Sequence, residues 1–129
     1  IRLLQRSLAN IRKNHLHQST SSIVKTKPRR IVLEDLNVKG MMKNKYLSKA
    51  VAQQCFYEFR RQIEYKSERM GIEVVLADRW FPSSKICNSC GCINRELTLG
   101  QRVYKCDCGY VNDRDLNAAL NLAQYGLTV

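Results

Sequence analysis

A chain of 129 residues has room for one modest domain or for a piece of a larger one, so two complete domains are not expected. Its 22 Lys and Arg residues outnumber its 11 Asp and Glu residues, and the resulting net charge of +11 favours a polyanionic partner. Because no apolar run approaches the roughly 18 residues of a membrane-spanning helix and no lipidation motif is present, the composition favours nucleic acid over a membrane.

Helical and strand patterns alternate in the first part of the chain. From Ile1 to about Gln18, apolar residues recur at helical spacing among basic ones, which predicts a basic amphipathic helix. After a serine cluster, the apolar run Ile31–Leu33 predicts a short buried strand, and Lys39–Asn44 is interpreted as a basic loop. Because the chain opens on Ile1 rather than on Met, we expect it to be a fragment.

A long helix and a second strand come next. An apolar face with helical spacing predicts a helix from about Tyr46 to Met70, which Gly71 ends. The β-branched run Ile72–Ala77 predicts the second strand. The order strand, helix, strand predicts a right-handed crossover that places the two strands in parallel.

Two cysteine knuckles indicate a zinc site. Five of the six cysteines fall between residues 87 and 108, which suits metal binding in a reducing cytosol, and hence a cytoplasmic protein, better than a disulfide framework. A CxxCG turn and a CxCG turn supply four sulfur ligands: Cys87, Cys90, Cys106 and Cys108. Because a closed four-thiolate site has no position for substrate, this zinc is expected to organise structure rather than to catalyse. Whether Cys92 replaces one of these four ligands is left open.

A last helix follows the knuckles. Apolar residues at i, i+3, i+4 and i+7 from Leu116 predict it, and Gly126 is expected to cap its end. Asn117 and Asn121 lie one turn apart on a single face, which is unusually polar for a helix so rich in alanine.

Two acidic positions are candidates for metal or catalytic chemistry. Glu34 directly follows the first predicted strand, and ligands gather at the carboxyl ends of strands in α/β sheets, although a solvated charge is the alternative. In the last helix, Asn112 or Asp113 can serve as the N-cap, which leaves Asp115 free to hold a metal.

Three segments carry a family resemblance. Ile31–Met41, the two knuckles and Asp113–Asn121 resemble, in order and spacing, the C-terminal half of TnpB (OrfB) proteins, which are transposon-encoded RNA-guided DNA endonucleases related to miniature type V CRISPR effectors. The resemblance implies an α/β fold, a partial RNase H-like (RuvC) nuclease with an inserted four-cysteine zinc ribbon. It divides the chain into a partial RuvC-like region at 1–83, a zinc ribbon that binds target nucleic acid at 84–112, and a final RuvC-like helix at 113–129.

The resemblance also implies site residues and partners. Glu34 matches the second catalytic acid and Asp115 the third, whereas Asp113 is assigned to capping. In such sites carboxylates hold Mg²⁺ ions for phosphodiester cleavage. The family's first catalytic aspartate and its guide-RNA-binding region belong to an N-terminal half upstream of this chain. We therefore expect DNA as a direct partner, guide RNA as a partner through the missing half, and no DNA cleavage by this chain alone.

Other functions stay open on the residues themselves. A remnant that binds nucleic acid through its ribbon and basic surface, without catalysis, is one alternative. A ribbon of the transcription-factor or ribosomal type is another, but it explains neither Glu34 nor Asp115. Candidate contacts to the nucleic-acid backbone are Arg79, Lys85 and Arg102. Trp80 and Phe81 could stack on bases, but we expect them to pack beneath the ribbon instead.

Overall fold

The computed structural model describes residues 1–46, 48–98 and 100–129. Leu47 and Leu99, which fall within the predicted long helix and the predicted ribbon, lie outside the described residues. The elements are α1 (Arg2–Lys25), β1 (Arg30–Glu34), α2 (Val38–Met42), α3 (Ser48–Gln54), α4 (Phe56–Arg69), β2 (Glu73–Ala77), β3 (Val103–Lys105), β4 (Val111–Asp113) and α5 (Arg114–Thr128). They form two units, one of residues 1–31 and 36–74 and one of residues 32–35 and 75–129. None of the described helices combines the length and the apolar character needed to cross a membrane.

In the first unit, α1 continues well past its predicted end at Gln18. The polar segment that weakens the apolar pattern packs against α4 rather than ending the helix. Thr20 is fully buried, and its Oγ1 lies 2.8 Å from Oε1 of Gln62, which is equally buried. Because both polar groups are hydrogen-bonded, the polar face of the helix can be buried without a large penalty.

A lysine of α4 completes this polar contact. Lys66 Nζ donates to the carbonyl of His17, to Thr20 Oγ1 and to Ser21 Oγ, at 2.7–2.9 Å. Burial lowers the pKa of Lys66, because removal from water disfavours the charged amine. Hydrogen bonds from one side chain therefore join two helices that lie far apart in sequence.

Two predictions between the strands are wrong. The segment predicted as a basic loop forms the short helix α2, because the Asn37 side chain accepts a hydrogen bond from Gly40 N at 3.0 Å and caps its start. The predicted long helix is divided at Cys55, whose left-handed backbone (φ 54°) interrupts the helical hydrogen-bond pattern between α3 and α4. The predicted end of α4 is confirmed, since Gly71 has a φ of +67°.

Strands β1 and β2 pair in a two-stranded sheet. At the start of both strands, Glu73 N donates to the carbonyl of Arg29 at 3.4 Å, and Arg30 Nε lies 2.7 Å from Glu73 Oε2. Their starts are therefore adjacent and the strands run in the same direction, as predicted. Residues 30–33 of β1 are only half-buried and Glu34 is exposed, so the expectation of a buried strand is wrong.

In the second unit, β3 and β4 form an antiparallel hairpin that leads directly into α5. The register pairs Val103 with Asp113 and Tyr104 with Asn112. Asp113 is both the last residue of β4 and the N-cap of α5. The expected cap at Gly126 is wrong, because α5 continues to Thr128 and Gly126 is buried within it. A residue without a side chain allows close packing at that point.

Replacing Gln62 with alanine should lower the stability of the first unit by about 1–3 kcal/mol, because buried hydrogen-bonding groups would lose their partner. Native-state hydrogen exchange of the α1 and α4 amides measures this change. Gln5→Ala, at an exposed position of α1, should change stability by less than about 0.5 kcal/mol. Equal losses in the two variants would contradict the proposed role of the buried contact.

The Glu58 carboxyl should have a pKa far below the usual value for a glutamate. Hydrogen bonds from Arg61 and then from Gln62 lower the pKa of Glu58 from 4.5 to about 2. Since the folded state holds the pKa down, Glu58 contributes stability above about pH 4.5, and this contribution is lost as the pH falls through about 2. An NMR titration should show that Arg61→Ala raises this pKa. Arg60→Ala, which removes a partner of Glu64, should leave it unchanged.

Candidate metal centre and carboxylate site

The first cysteine knuckle is held by its own backbone. Cys87 N donates to the carbonyl of Cys92, and Gly91 N donates to the carbonyl of Cys87, both at 2.8 Å. Gly91 has a φ of +77°, a conformation that residues with a side chain rarely adopt. The turn places Cys87 inside the protein, 1% exposed, and Cys90 at the surface.

The second knuckle is the turn of the β3–β4 hairpin. Cys106 N donates to the carbonyl of Tyr110, and Gly109 N donates to the carbonyl of Cys106, both at 3.0 Å. Gly109 has a φ of +90°. The shorter spacing of this CxC turn is thus accommodated by a tight hairpin whose strands fix both ends.

The four sulfur atoms gather at one point. Cys87 Sγ lies 3.8 Å from Cys108 Sγ, and Cys90 Sγ lies 3.6 Å from Cys106 Sγ. All four sulfurs lie within 4.8 Å of one another, and Cys92 is not part of this cluster. A tetrahedral zinc ion with bonds of about 2.3 Å to sulfur requires edges of about 3.8 Å. Both the geometry and the soft thiolate donors therefore fit zinc.

The thiols do not ionise alike. Burial opposes ionisation of Cys87, but hydrogen bonds from the backbone of Cys90 and Ser89 outweigh it and lower the pKa of Cys87 to about 7. At Cys90 the backbone of Cys92 favours the thiolate, whereas the Cys106 side chain opposes it and the net effect raises the pKa to about 11. Four thiolates at this spacing therefore need a cation to balance their charge.

A small core lies beneath the cysteine cluster. In the described part of the ribbon it consists of Cys87, Leu97 and Tyr104, with Cys106 and Tyr110 packed against them. Tyr104 is fully buried, and its hydroxyl donates to the carbonyl of Lys85 at 3.0 Å. Burial raises the pKa of Tyr104 to about 12. So few apolar residues supply little stability, and a metal ion is the usual support for such a module.

Three asparagines join the first knuckle to α5. Asn117 and Asn121 are buried, at 0% and 2% exposure, and both donate to the carbonyl of Ile86, at 2.7 and 2.8 Å. Asn121 Nδ2 also donates to the carbonyl of Ser83 at 2.7 Å. Asn88 completes the set, because its N–H donates to Asn117 Oδ1 and its side chain to Asn121 Oδ1, both at 3.1 Å. We call Asn88, Asn117 and Asn121 the asparagine cluster.

Glu34 stands at the carboxyl end of β1, where its side chain is exposed to solvent. Ser83 Oγ donates a hydrogen bond to Glu34 Oε1. In the described part of the chain, Oε2 has no hydrogen-bonding partner. The next residue, Asp35, is instead paired with Arg79, whose Nη2 lies 2.8 Å from its Oδ2. Glu34 is therefore the better placed of the two carboxylates to bind a cation.

Asp115 lies in the first turn of α5. Asp113 Oδ1 accepts from Asp115 N at 2.9 Å and from Leu116 N at 3.0 Å, which fits the predicted capping role of Asp113. The Asp115 carboxylate is exposed and, among the described residues, has neither a hydrogen bond nor an ion pair. The described residues do not bring Glu34 and Asp115 into a cluster of three or more ligands, as they do the cysteines.

The predicted nucleic-acid contacts lie in different settings. Arg79 is ion-paired and 45% exposed, Lys85 Nζ lies 3.4 Å from the carbonyl of Arg95, and Arg102 is exposed. Trp80 is 85% exposed, so the expectation that it packs beneath the ribbon is wrong. Phe81 packs instead on Tyr125 of α5, with ring centroids 4.8 Å apart.

Sequence reasoning missed Ser83. Its hydroxyl contacts Glu34, 49 residues earlier in the chain. A serine that follows Phe81-Pro82 is typical of a turn, and nothing in the sequence distinguishes it from its neighbour Ser84. In the sequence, only the polar helix face formed by Asn117 and Asn121 indicates a polar contact in this region.

Comparisons with known proteins point to one group. A family model described as "Cas12f1-like, TNB domain" matches residues 56–122. A Streptomyces pristinaespiralis protein named "Putative RNA-guided DNA endonuclease" is 42% identical over 116 residues, which cover 90% of this chain and 29% of that protein. A TnpB-like protein of Acanthamoeba polyphaga mimivirus is 30% identical over 135 residues, which cover 98% of this chain and 25% of that protein.

The fold has a solved counterpart. The cryo-EM structure of a Cas12f1–sgRNA–target DNA complex contains a chain that matches with a TM-score of 0.75 and 25% identity, over 95% of this chain and 36% of that one. This likeness confirms the predicted α/β fold, in which the four clustered cysteines are consistent with a zinc ribbon. The chain spans 29% and 25% of the length of these two relatives and 36% of the solved chain.

Cys87→Ser should abolish tight zinc binding, because it removes the most buried of the four sulfurs. Cys92→Ser should leave one zinc ion per chain, because its sulfur lies outside the cluster. Native mass spectrometry of the zinc-loaded variants gives both stoichiometries. Loss of zinc from Cys92→Ser, with retention in Cys87→Ser, would contradict the four-sulfur assignment.

Proposed function

The chain belongs to the Cas12f1-like TNB-domain family, and we propose that it forms the C-terminal part of a transposon-associated, RNA-guided DNA endonuclease. The names of its relatives and its likeness to a Cas12f1 chain in complex with guide RNA and target DNA support this function. The observation that carries the proposal is the unit of residues 32–35 and 75–129, in which Glu34, Asp115 and the four-cysteine cluster occur together.

Glu34 and Asp115 are the proposed catalytic residues. They would hold Mg²⁺, which activates water and stabilises the leaving oxygen in phosphodiester hydrolysis. Two features support this role. Glu34 Oε1 is fixed by Ser83 while its carboxylate stays exposed, and the Asp115 carboxylate is exposed and unpaired among the described residues. Asp113, whose Oδ1 accepts from two N–H groups at the start of α5, is assigned to capping rather than to this role.

The cysteine cluster has a structural role in this proposal. Zinc bound by Cys87, Cys90, Cys106 and Cys108 would hold the ribbon in shape, since four thiolates leave no coordination position for substrate. The ribbon would then contact target DNA. Arg79, Lys85 and Arg102 are the proposed contacts to phosphates, and the net charge of +11 supports such an interface.

We further propose that this chain does not cut DNA alone. It provides two of the three acidic residues that the family resemblance implies, and two carboxylates bind a pair of metal ions less well than three. The first aspartate and the surface for guide RNA would come from an N-terminal half. The small share of its relatives that the chain spans, 29% of the Streptomyces protein, is consistent with this division.

Cleavage of labelled DNA tests the proposal. The zinc-loaded chain, mixed with the N-terminal half of a relative and guide RNA, should cut target DNA in Mg²⁺, and neither half should cut alone. Glu34→Gln and Asp115→Asn should each reduce the cleavage rate by more than about 100-fold. Loss of a residue that only contacts a metal ligand costs up to roughly 100-fold, and these two residues are proposed as the ligands themselves. Glu96→Gln, at an exposed glutamate of the same unit, should leave the rate unchanged.

Salt-sensitive DNA binding without cleavage in any mixture would overturn the nuclease proposal. That result would favour a remnant that binds nucleic acid through its ribbon. Absence of both binding and cleavage would exclude both functions.

A further inference from the structure

Ser83 is fixed at both of its backbone polar groups. Its N–H donates to the carbonyl of Phe81 at 2.8 Å, and its carbonyl accepts from Asn121 Nδ2 at 2.7 Å. The residue is 4% exposed. A serine side chain has one rotatable bond to its oxygen, and in the observed rotamer Oγ donates to Glu34 Oε1.

The asparagine that holds Ser83 is itself bound to the first cysteine knuckle. Asn121 Oδ1 accepts from Asn88 Nδ2 at 3.1 Å, and Asn88 lies between the cluster sulfurs of Cys87 and Cys90 in the chain. A continuous series of hydrogen bonds therefore leads from the knuckle through Asn121 and Ser83 to Glu34. Every residue in the series belongs to the same unit.

We propose that Ser83 is a positioning residue for Glu34, held by Asn121 and Asn88, so that the metal state of the cysteine cluster controls the orientation of the Glu34 carboxylate. The catalytic consequence of this inference rests on the proposed function, in which Glu34 binds the metal. The structural part, that Ser83 and the knuckle orient Glu34, does not depend on cleavage.

An exposed glutamate at a strand end needs such a partner in order to act as a ligand. Without one, its side chain samples several rotamers, and the loss of that freedom opposes metal binding. A hydrogen bond to Oε1 restricts the rotation of the carboxylate and leaves Oε2, which has no partner in the described chain, available to bind a cation. Ser83 thus restricts the orientation of the Glu34 carboxylate before a metal ion binds.

The cysteine cluster controls this arrangement because the ribbon has so little other support. Among the described residues its core contains three buried ones, Cys87, Leu97 and Tyr104. Without a metal, the first knuckle keeps its own backbone hydrogen bonds but loses the link from its two sulfurs to the second knuckle, so Asn88 is held less firmly. Asn121 would then lose the donor at Oδ1, and the carbonyl of Ser83 would be held less firmly.

Two neighbouring serines, Ser83 and Ser84, allow a controlled test of the inference. Ser83 contacts Glu34, whereas the Ser84 side chain has no hydrogen bond to the described residues. In zinc-loaded protein with carboxyl-labelled glutamate, Ser83→Ala should shift the Glu34 carboxyl NMR signal, and Ser84→Ala should not. Ser83→Thr, which keeps the hydroxyl, should retain the original signal. Glu73, which pairs with Arg30 in the other unit, is the internal reference.

Metal removal is the second measurement. A chelator that strips zinc under reducing conditions should move the Glu34 signal in the same direction as Ser83→Ala while the Glu73 signal stays in place. Asn88→Ala in zinc-loaded protein should cause a smaller shift of the same sign, which gives a result even if the stripped ribbon unfolds. A Glu34 signal that responds to neither Ser83→Ala nor Asn88→Ala would overturn the inference.

Cleavage by the reconstituted mixture separates this inference from the proposed function. Ser83→Ala should raise the Mg²⁺ concentration for half-maximal rate about 10-fold or more, with DNA affinity unchanged and with rescue by Ser83→Thr. Wild-type Mg²⁺ dependence in Ser83→Ala would refute the catalytic role of Ser83 but leave the nuclease proposal intact. A shift of the Glu34 signal without cleavage in any mixture would refute the nuclease proposal but leave the structural role of Ser83 intact.

Discussion

The second unit depends on a requirement that buried amides be hydrogen-bonded. Asn117 and Asn121 lie on the face of α5 that a soluble helix normally fills with apolar residues, and both are almost completely buried. Each is satisfied by backbone carbonyls before the first knuckle and by Asn88 within it. Burial of an amide without hydrogen-bonding partners destabilises the fold by more than apolar contacts offset. The helix is therefore held at the position against the knuckle where these hydrogen bonds form.

This constraint explains how so short a ribbon can hold distant groups in place. The β3–β4 hairpin positions the second knuckle and ends in Asp113, which also caps α5. The same helix, through Asn121, holds the turn that contains Ser83 and so reaches Glu34. The first knuckle, α5 and the end of β1 are thus connected by hydrogen bonds, while the apolar core of the ribbon has three buried residues among those described.

Local sequence patterns predicted the structural features that depend on residues close together in the chain. The two knuckles, an N-cap at Asn112 or Asp113, the end of α4 at Gly71 and the order of the first two strands all follow from residue spacing or turn chemistry. The failures depend on contacts between distant residues or on an unusual backbone. Thr20 extends α1 by contact with Gln62, and Cys55 divides a helix whose apolar pattern is unbroken. The contact of Ser83 with Glu34 has no local signature, because it is created only when the turn is held by α5.

The exposed indole of Trp80 gives the molecule an optical property of its own. The chain contains one tryptophan, and its side chain is 85% exposed at a turn anchored by Phe81 on Tyr125. Ultraviolet light absorbed selectively by indole therefore excites one defined place, three residues from the serine that faces Glu34. An indole this exposed is expected to emit at the long wavelength of indole in water, and a molecule that removes it from water should shift that emission to shorter wavelength. The protein thus carries a natural reporter of its surroundings beside the carboxylate site.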